Sequence, residues 1–209
     1  MTMKELLLFT GPEASGKTTI ACLIKRYLEN QGIKAKVVRL RGTHTFAYIL
    51  MLFMRNVLCL YGSELHYYRL KLPKRLKWLW LYIELLAVIP LVILYYYIMR
   101  LKYVVIGERS VVDVIVWLLT GIEDEPHKLL SRKPIKFLIL LATRYRPRTV
   151  YITADLNSLI SRKPYEKDLI TKMLPYYNAL AKHLELLKVN TSTCRTYKCA
   201  KEALKVLER

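Results

Sequence analysis

The sequence predicts an α/β protein, a three-layer α/β/α fold built on a five-stranded parallel sheet. Short apolar runs alternate with helical patterns along the chain, which is typical of parallel strands joined by right-handed helical crossovers. A glycine-bounded loop stands between the first apolar run and the first amphipathic segment. The chain has 209 residues, of which 54% are hydrophobic, and this is sufficient for one domain with a substantial core. We therefore expect a single domain over residues 1–209.

Five segments have the length and apolar character of buried strands. In chain order they are Glu5 to Thr10, Ile33 to Leu40, Tyr103 to Gly107, Thr149 to Asp155 and Leu186 to Asn190. The first helix is expected from Lys17, because apolar residues recur at i, i+3, i+4 and i+7 from Ile20. Gly32 is placed to end that helix.

The segment Trp78 to Met99 is a long and predominantly apolar run. About 20 apolar helical residues cover about 30 Å of bilayer, so its length alone would allow a membrane span. Glu84 and Pro90 interrupt the run, however, and basic residues flank both ends, which removes the charge asymmetry of a spanning helix. We expect a helix buried on the sheet and kinked near Pro90, with membrane contact as the alternative.

The charge and the cysteine spacing limit the expected binding partners and the expected cellular compartment. Lysine and arginine number 35 against 16 acidic residues, and the net charge of +19 would attract phosphates, nucleic acid or an anionic membrane. The four cysteines lack the C-x-x-C spacing of a zinc or redox site, and the N-terminal apolar run is too short for a signal peptide. These features predict reduced thiols and a cytoplasmic protein. The cysteines are Cys22, Cys59, Cys194 and Cys199.

The segment GPEASGKT, Gly11 to Thr18, fits the phosphate-loop pattern G-x-x-x-x-G-K-[ST] between a strand and a helix. Its backbone N–H groups and the helix N-terminus would bind phosphate oxygens. Lys17 would reach the β- and γ-phosphates of ATP, and the Thr18 hydroxyl would be a ligand of Mg²⁺. Glu13, within the loop, would contact the acceptor or the water shell of the metal. The predicted nucleotide-binding residues are Gly11, Pro12, Glu13, Ala14, Ser15, Gly16, Lys17, Thr18 and Thr19.

The opening segment, LLLFTGPEASGKTTIACLIKRYLENQGIKAKVVRLRGT, resembles that of thymidylate kinases, a family of phosphate-loop nucleoside monophosphate kinases. YVVIGERS is similar to their strand that ends in Asp-Arg-Tyr, and TVYITADLNSLISRK to their fourth strand, short helix and lid. The resemblance implies the phosphate-loop kinase fold and transfer of a phosphoryl group from MgATP to dTMP. It implies that the partner is a nucleotide acceptor and that no nucleic acid is bound stably. It also suggests a homodimer formed through the apolar helix.

The resemblance also implies roles for single residues. Glu108 would face the metal and its water shell or the acceptor hydroxyl, and Arg109 would bind a phosphate in bidentate fashion. The spacing itself adds one pair: Asp113 lies four residues beyond Arg109, so the two would pair on one face of a helix that starts near Ser110. Either Arg39 or Arg41 would hold an acceptor phosphate. The remaining candidates are His44 in the acceptor site, Arg162 in a short lid around residues 158–168, and Thr193 beside the adenine.

Two motifs depart from thymidylate kinases. The loop Arg39 to Thr45 reads RLRGTHT, where that family usually has Arg-Glu-Pro-Gly-Gly-Thr, and the family's glutamine is missing after Arg109. Glu-Arg-Ser followed by an apolar residue instead resembles deoxynucleoside kinases, whose acceptor is a hydroxyl. A kinase for dTMP is the favoured function. The alternatives are a kinase for a nucleoside or another small hydroxyl acceptor, and a degenerate nucleotide-binding protein at a membrane or nucleic-acid surface.

Overall fold

The computed structural model describes residues 4–40, 46–57, 59, 74–121 and 126–207. Five strands form one sheet in which every pairing is parallel. The order across the sheet is β2-β3-β1-β4-β5, which confirms the predicted α/β/α fold with a five-stranded parallel sheet. The strands are β1 (Leu6–Thr10), β2 (Ala35–Val38), β3 (Val104–Gly107), β4 (Thr149–Thr153) and β5 (Leu187–Asn190).

Helices fill the connections between the strands. Within the described ranges they are α1 (Lys17–Asn30), α2 (Phe46–Asn56), α3 (Lys74–Ile93), α4 (Val111–Gly121), α5 (Pro126–Leu130), α6 (Lys133–Arg144), α7 (Leu156–Arg162), α8 (Lys167–His183) and α9 (Thr196–Leu204). Short 3₁₀ turns at Arg146–Arg148 and Pro164–Glu166 precede β4 and α8.

The two faces of the sheet are covered by separate apolar clusters. Successive side chains of a strand point to opposite faces, so Leu6 and Leu8 join the cluster beneath α3, α4, α6 and α8, whereas Leu7 and Phe9 join the cluster beneath α1 and α9. Both faces of β1 are buried. This explains why the sequence of β1 is a continuous apolar run and not an alternation of polar and apolar residues.

Helix α3 is only partly buried, and in this respect the prediction of a buried helix is wrong. Trp80, Glu84 and Val88 are each 1% exposed and face the core, but Leu86 is 57% exposed and Ile93 48% exposed on the opposite side. The segment Trp78–Leu101 is long and apolar enough to cross a membrane by length and composition, and 33% of its most apolar window is buried within the protein. The helix continues through Pro90 and changes to π-helical geometry over Leu94–Ile98.

The prediction of four reduced cysteines is wrong for one pair. Cys194 and Cys199 form a disulfide, whereas Cys22 and Cys59 carry free thiols. Cys194 lies in the turn after β5 and Cys199 in α9, and this turn brings their Cα atoms to 5.9 Å, within the range that a disulfide bridges. The two cysteines are five residues apart, a spacing outside the C-x-x-C pattern on which the prediction rested.

Candidate active site

The carboxyl edge of the sheet gathers the polar residues of the site. The phosphate loop follows β1, Arg39 follows β2, and Glu108 follows β3. In open parallel sheets, ligands bind at this edge beside the strand where the direction of the connections changes. That strand is β1 here, because β3 lies on one side of it and β4 on the other.

Two glycines determine the path of the phosphate loop. Gly11 has a φ of 144°, and a Cβ there would overlap the carbonyl oxygen of Ile152 in β4. Gly16 has a φ of 89° and directly precedes α1. Positive φ is accessible to glycine at little cost. The loop can therefore pass against β4 and turn sharply into α1, whose first N–H groups point into the cleft.

Lys17 is folded onto its own loop. Its Nζ donates hydrogen bonds to the carbonyl oxygens of Gly11 and Pro12, at 2.8 and 2.5 Å, and to Ser15 Oγ at 3.1 Å. Burial, and then the positive charge of Arg109, lower the pKa of the Lys17 ammonium to about 8. Phosphate oxygens bound in the loop would add negative charge beside this ammonium and would favour its charged form.

Glu108 contacts two other candidate residues, Thr18 and Arg39. Its carboxylate accepts a hydrogen bond from the Thr18 hydroxyl and is paired with Arg39, with Nε to Oε2 at 3.0 Å and Nη2 to Oε1 at 2.5 Å. Burial alone would raise the pKa of Glu108, but the hydrogen bonds from Arg39 and Thr18 and the charges of Arg39 and Arg109 lower it below its usual value. The carboxylate is therefore ionised at neutral pH.

Arg109 forms a second ion-pair cluster next to the first. It pairs with Glu13 of the phosphate loop, and its Nη1 lies 3.2 Å from Asp113 Oδ1. The predicted pairing of Arg109 with Asp113 is thus observed, but Arg109 precedes α4, which starts at Val111, so the two residues do not share a helix face. The side chains of the three residues are at most 12% exposed. The cluster therefore holds Arg109 in a defined position at the wall of the cleft.

Asp113 has two further contacts that the sequence interpretation missed. Its Oδ2 accepts a hydrogen bond from Ser110 N at 2.8 Å, while Ser110 Oγ accepts one from Val112 N at 3.1 Å. This reciprocal arrangement is a capping box at the start of α4, and the spacing S-x-x-D before an apolar run is its sequence signal. Tyr177 OH also donates to Asp113 Oδ1 at 3.0 Å. Nothing in the local sequence of α8 indicates this contact.

Arg162 connects the end of α7 to the phosphate loop. It donates to the Ala14 carbonyl at 3.1 Å and to Thr191 Oγ1 at 3.0 Å. The Thr191 hydroxyl in turn donates to the Ser15 carbonyl at 3.1 Å. Lys163 Nζ lies 3.9 Å from Glu13 Oε2. Thr191 was not among the sequence candidates, although its position directly after β5 at the carboxyl edge is a signal that could have identified it.

These groups surround a cleft of about 490 Å³, a size within the range of small-molecule sites. Thr193 is not among the lining residues, and its hydroxyl donates to the Asn190 carbonyl at 3.4 Å. Arg41 and His44 lie outside the described residues. The lining residues are Glu13 to Ile20 without a gap, and Arg39, Glu108, Arg109, Arg162, Lys163, Thr191, Cys194 and Thr196.

The residues present fit a magnesium ion held together with a nucleotide. The Thr18 hydroxyl and the Glu108 carboxylate are in contact, and both supply the oxygen ligands that Mg²⁺ prefers. Among the described residues no group of three His, Cys, Asp or Glu side chains is placed to hold a metal. Mg²⁺ is commonly bound by one or two protein oxygens together with substrate phosphates, and Thr18 and Glu108 suit that mode.

The strand order, the phosphate loop between β1 and α1, and the basic cleft at the carboxyl edge define a phosphate-loop nucleotide kinase fold. Residues 3–45, which include β1, the phosphate loop, α1 and β2, match the adenylylsulphate kinase family model. No curated protein matches the chain.

Solved structures extend the similarity to the whole chain. A thymidylate kinase from Ehrlichia chaffeensis superposes with a TM-score of 0.60 and 18% identity, over 100% of both chains. The YorR protein from Bacillus subtilis, in complex with phosphorylated GDP, superposes with a TM-score of 0.52 and 13% identity, over 97% of this chain and 95% of the other. At these identities the similarity shows a shared fold, and it confirms the predicted resemblance to phosphate-loop nucleotide kinases at that level. Fold and family model together support nucleotide phosphoryl transfer in general terms.

Proposed function

We propose that the protein transfers the γ-phosphoryl group of MgATP to a nucleoside monophosphate, with dTMP as the favoured acceptor. The observation that carries the proposal is the meeting of Lys17, Glu108 and Arg109 in one cleft at the carboxyl edge of the sheet. Phosphoryl transfer needs positioned positive charge and a metal more than covalent chemistry from the protein. The cleft holds the positive charges of Lys17 and Arg109, and the Glu108 carboxylate as a metal ligand, beside a phosphate loop.

Each group has a role in this proposal. The phosphate loop and Lys17 bind the triphosphate of ATP, and Thr18 and Glu108 hold Mg²⁺, which neutralises phosphate charge when bound. Arg39 and Arg109 bind the phosphate of the acceptor. Arg162, at the end of α7, stabilises the charge on the transferred group. Glu13 and Asp113 hold Arg109 in place, because both carboxylates contact its guanidinium.

A kinase for a hydroxyl acceptor is the second candidate. The observation in its favour is Glu108 at the end of β3, since an ionised carboxylate beside the cleft can accept the proton of an attacking hydroxyl. In this alternative Glu108 acts as the general base. The family model that matches residues 3–45 is also named for a different acceptor, adenylylsulphate.

A panel of acceptors with γ-labelled ATP tests both candidates. Nucleoside monophosphates, including dTMP, and the corresponding nucleosides are each incubated with the full chain, and labelled product is measured. We expect product from dTMP and little from thymidine. Transfer to nucleosides alone would favour the hydroxyl acceptor, and transfer to neither class, with ATP binding intact, would leave a nucleotide-binding protein without kinase activity.

Two variants separate the nucleotide side of the cleft from the acceptor side. Lys17→Ala is expected to abolish ATP binding, whereas Arg109→Ala is expected to abolish transfer and keep the affinity for ATP. Arg146→Ala is the matched control, because Arg146 pairs with the exposed Glu185 and precedes β4, at the other edge of the sheet. Normal ATP binding by Lys17→Ala would refute the phosphate-loop assignment, and full activity of Arg109→Ala would remove Arg109 from the site.

We also propose that the protein works in the cytoplasm, where ATP and nucleotide acceptors are present. The free thiols of Cys22 and Cys59 agree with a reducing compartment. The Cys194–Cys199 disulfide is the observation against it.

A further inference from the structure

The exposed side of α3 and the turns that follow it is an apolar stripe. Its members are Leu79, Tyr82, Leu86, Ile93, Leu94, Tyr97, Ile98 and Leu101, each at least 39% exposed. We call this set the α3 stripe. At a rise of about 1.5 Å per residue it extends for roughly 30 Å. Contiguous apolar surface of this extent is uncommon on soluble monomers and marks a site of interaction.

The helices next to α3 also expose apolar side chains. α2 contacts α3 and exposes Ile49 and Phe53, by 69% and 53%, and α6 contacts α3 and exposes Leu140 by 67%. Exposed apolar side chains are therefore present on three adjacent helices.

The rim of this surface is basic. Glu84 is the only acidic residue in α2, α3 and α6, and it is buried at 1% exposure. Exposed Lys133 and Lys136 lie on α6, and exposed Lys102 follows the stripe. The sequence also places Lys74, Arg75 and Lys77 in the first turn of α3. An apolar centre with a basic rim fits a partner with an apolar interior and an anionic surface.

We propose that the α3 stripe and its basic rim bind the surface of an anionic lipid bilayer. Amphipathic helices with basic polar residues lie in the plane of the headgroups, with the apolar side chains in the acyl boundary. Lysine and arginine near such a surface add electrostatic attraction to anionic lipids. None of the stripe residues lines the nucleotide cleft, so the bound protein keeps its cleft accessible.

The same helix does not cross the bilayer in this proposal. The other side of α3 is packed in the core through Trp80, Glu84 and Val88. A spanning orientation would remove these side chains from the core and place the Glu84 carboxyl in hydrocarbon, which is costly.

A second copy of the chain fits this surface less well. In a twofold dimer the same patch meets itself, so the basic rims of α6 and of the stripe would face each other. No acidic side chain in α2, α3 or α6 is exposed to offset that repulsion.

The test measures flotation of the full chain with vesicles of mixed phosphatidylglycerol and phosphatidylcholine, and with vesicles of phosphatidylcholine alone. We expect binding to the anionic vesicles to be about tenfold stronger or more, because several basic residues contribute attraction. Raised salt should weaken this binding, since screening reduces the electrostatic part. A protein that fails to bind anionic vesicles overturns the proposal.

Variants test the stripe itself. Leu86→Glu with Ile93→Glu should reduce vesicle binding by about tenfold or more, because two apolar side chains no longer enter the bilayer. Leu86→Ser with Ile93→Ser should weaken binding without adding negative charge. The matched control is Tyr27→Glu on α1, on the other face of the sheet, since Tyr27 is 45% exposed and Ile93 48% exposed. Unchanged ATP affinity verifies the fold of each variant.

Two results would overturn the assignment of the stripe to lipid. Vesicle binding by both double variants at the level of the unaltered protein would mean that the stripe is not the contact. Sedimentation in the absence of lipid tests whether a second copy of the chain binds the stripe. If the protein is a dimer and the Leu86→Glu and Ile93→Glu changes dissociate it, the stripe is a protein interface.

Discussion

At the scale of single residues, Glu108 cannot keep its present hydrogen bonds while it also binds Mg²⁺. Its carboxylate contacts both the Thr18 hydroxyl and the Arg39 guanidinium. A magnesium ion held by Thr18 and Glu108 would take the place of these hydrogen bonds, and Arg39 would then be free for an acceptor phosphate. Binding of the nucleotide and preparation of the acceptor site are therefore coupled through this one carboxylate in the proposed mechanism.

The buried ammonium of Lys17 leads to a prediction about pH. In the free protein burial holds its pKa at about 8, and the phosphates of bound ATP would raise it again by favouring the charged form. The complex should therefore bind more protons than the free protein near pH 8, with uptake of about half a proton per ATP at that pH. The affinity for ATP should fall as the pH rises above about 8.

Calorimetric titration in two buffers of different ionisation enthalpy measures this proton uptake. A series from pH 7 to pH 9 should show uptake that increases across the range. ATP binding at pH 8 to 9 without any proton uptake would contradict the position and environment of Lys17.

Tyr177 is a positioning residue that only the structure reveals. Burial, and then the charge of Asp113, hold the pKa of Tyr177 well above its ordinary value, so its hydroxyl remains a donor to Asp113. Tyr177→Phe removes this hydrogen bond and should cost about 1 kcal/mol of stability. Because Asp113 holds Arg109, the KM for the acceptor should rise several-fold, while the Kd for ATP stays unchanged.

Tyr151→Phe is the matched control for this change. Tyr151 stacks on Tyr177 with ring centroids 6.4 Å apart, and its hydroxyl donates to Asn178 Oδ1 at 2.8 Å. An equal rise of the acceptor KM in both variants would show that the effect comes from core packing and not from Asp113.

At the scale of elements, the connection from β1 to α1 depends on one close backbone approach. Gly11→Ala would force its new Cβ into the Ile152 carbonyl of β4, at a φ of 144°. We expect a loss of about 3 kcal/mol or more and loss of ATP binding. Gly32→Ala also falls at positive φ, 74°, but nothing lies within 4 Å of the added Cβ. It should cost about 1 to 2 kcal/mol and leave ATP binding intact.

Thermal unfolding together with ATP titration distinguishes the two glycine variants. Similar losses of stability in both, with ATP binding retained in Gly11→Ala, would mean that the loop can move away from β4. The phosphate loop would then be less constrained than its contact with β4 indicates.

The connection from β3 to α4 shows that one short motif can serve structure and function together. Ser110 and Asp113 cap α4, and Asp113 also holds Arg109. The capping pattern is readable from sequence because it depends on residues three apart. The pairing of Arg109 with Glu13 depends on the adjacency of β1 and β3 in the sheet, which no local pattern specifies.

At the scale of the whole molecule, part of the net charge of +19 lies on two distinct surfaces. One set of basic residues converges on the cleft, where phosphates are the proposed ligands. Another surrounds the α3 stripe, where an anionic bilayer is the proposed partner. The single domain over residues 1–209, with a short lid around 158–168, remains a prediction, and a homodimer through the α3 stripe is the alternative that sedimentation tests.

The sequence by itself determined the fold class, the strands and the phosphate loop, because these depend on local hydrophobic periodicity and on a motif of eight residues. It also identified Arg39, Glu108, Arg109 and Asp113 as polar residues near the carboxyl edge. Only the tertiary structure decided which of them meet, since Arg39 and Glu108 are 69 residues apart in the chain and Asp113 and Tyr177 are 64 apart. It also decided that one side of the apolar helix is exposed. Burial depends on which neighbours pack against each face, and an apolar segment has the same composition whether its partner is a protein core or a lipid surface.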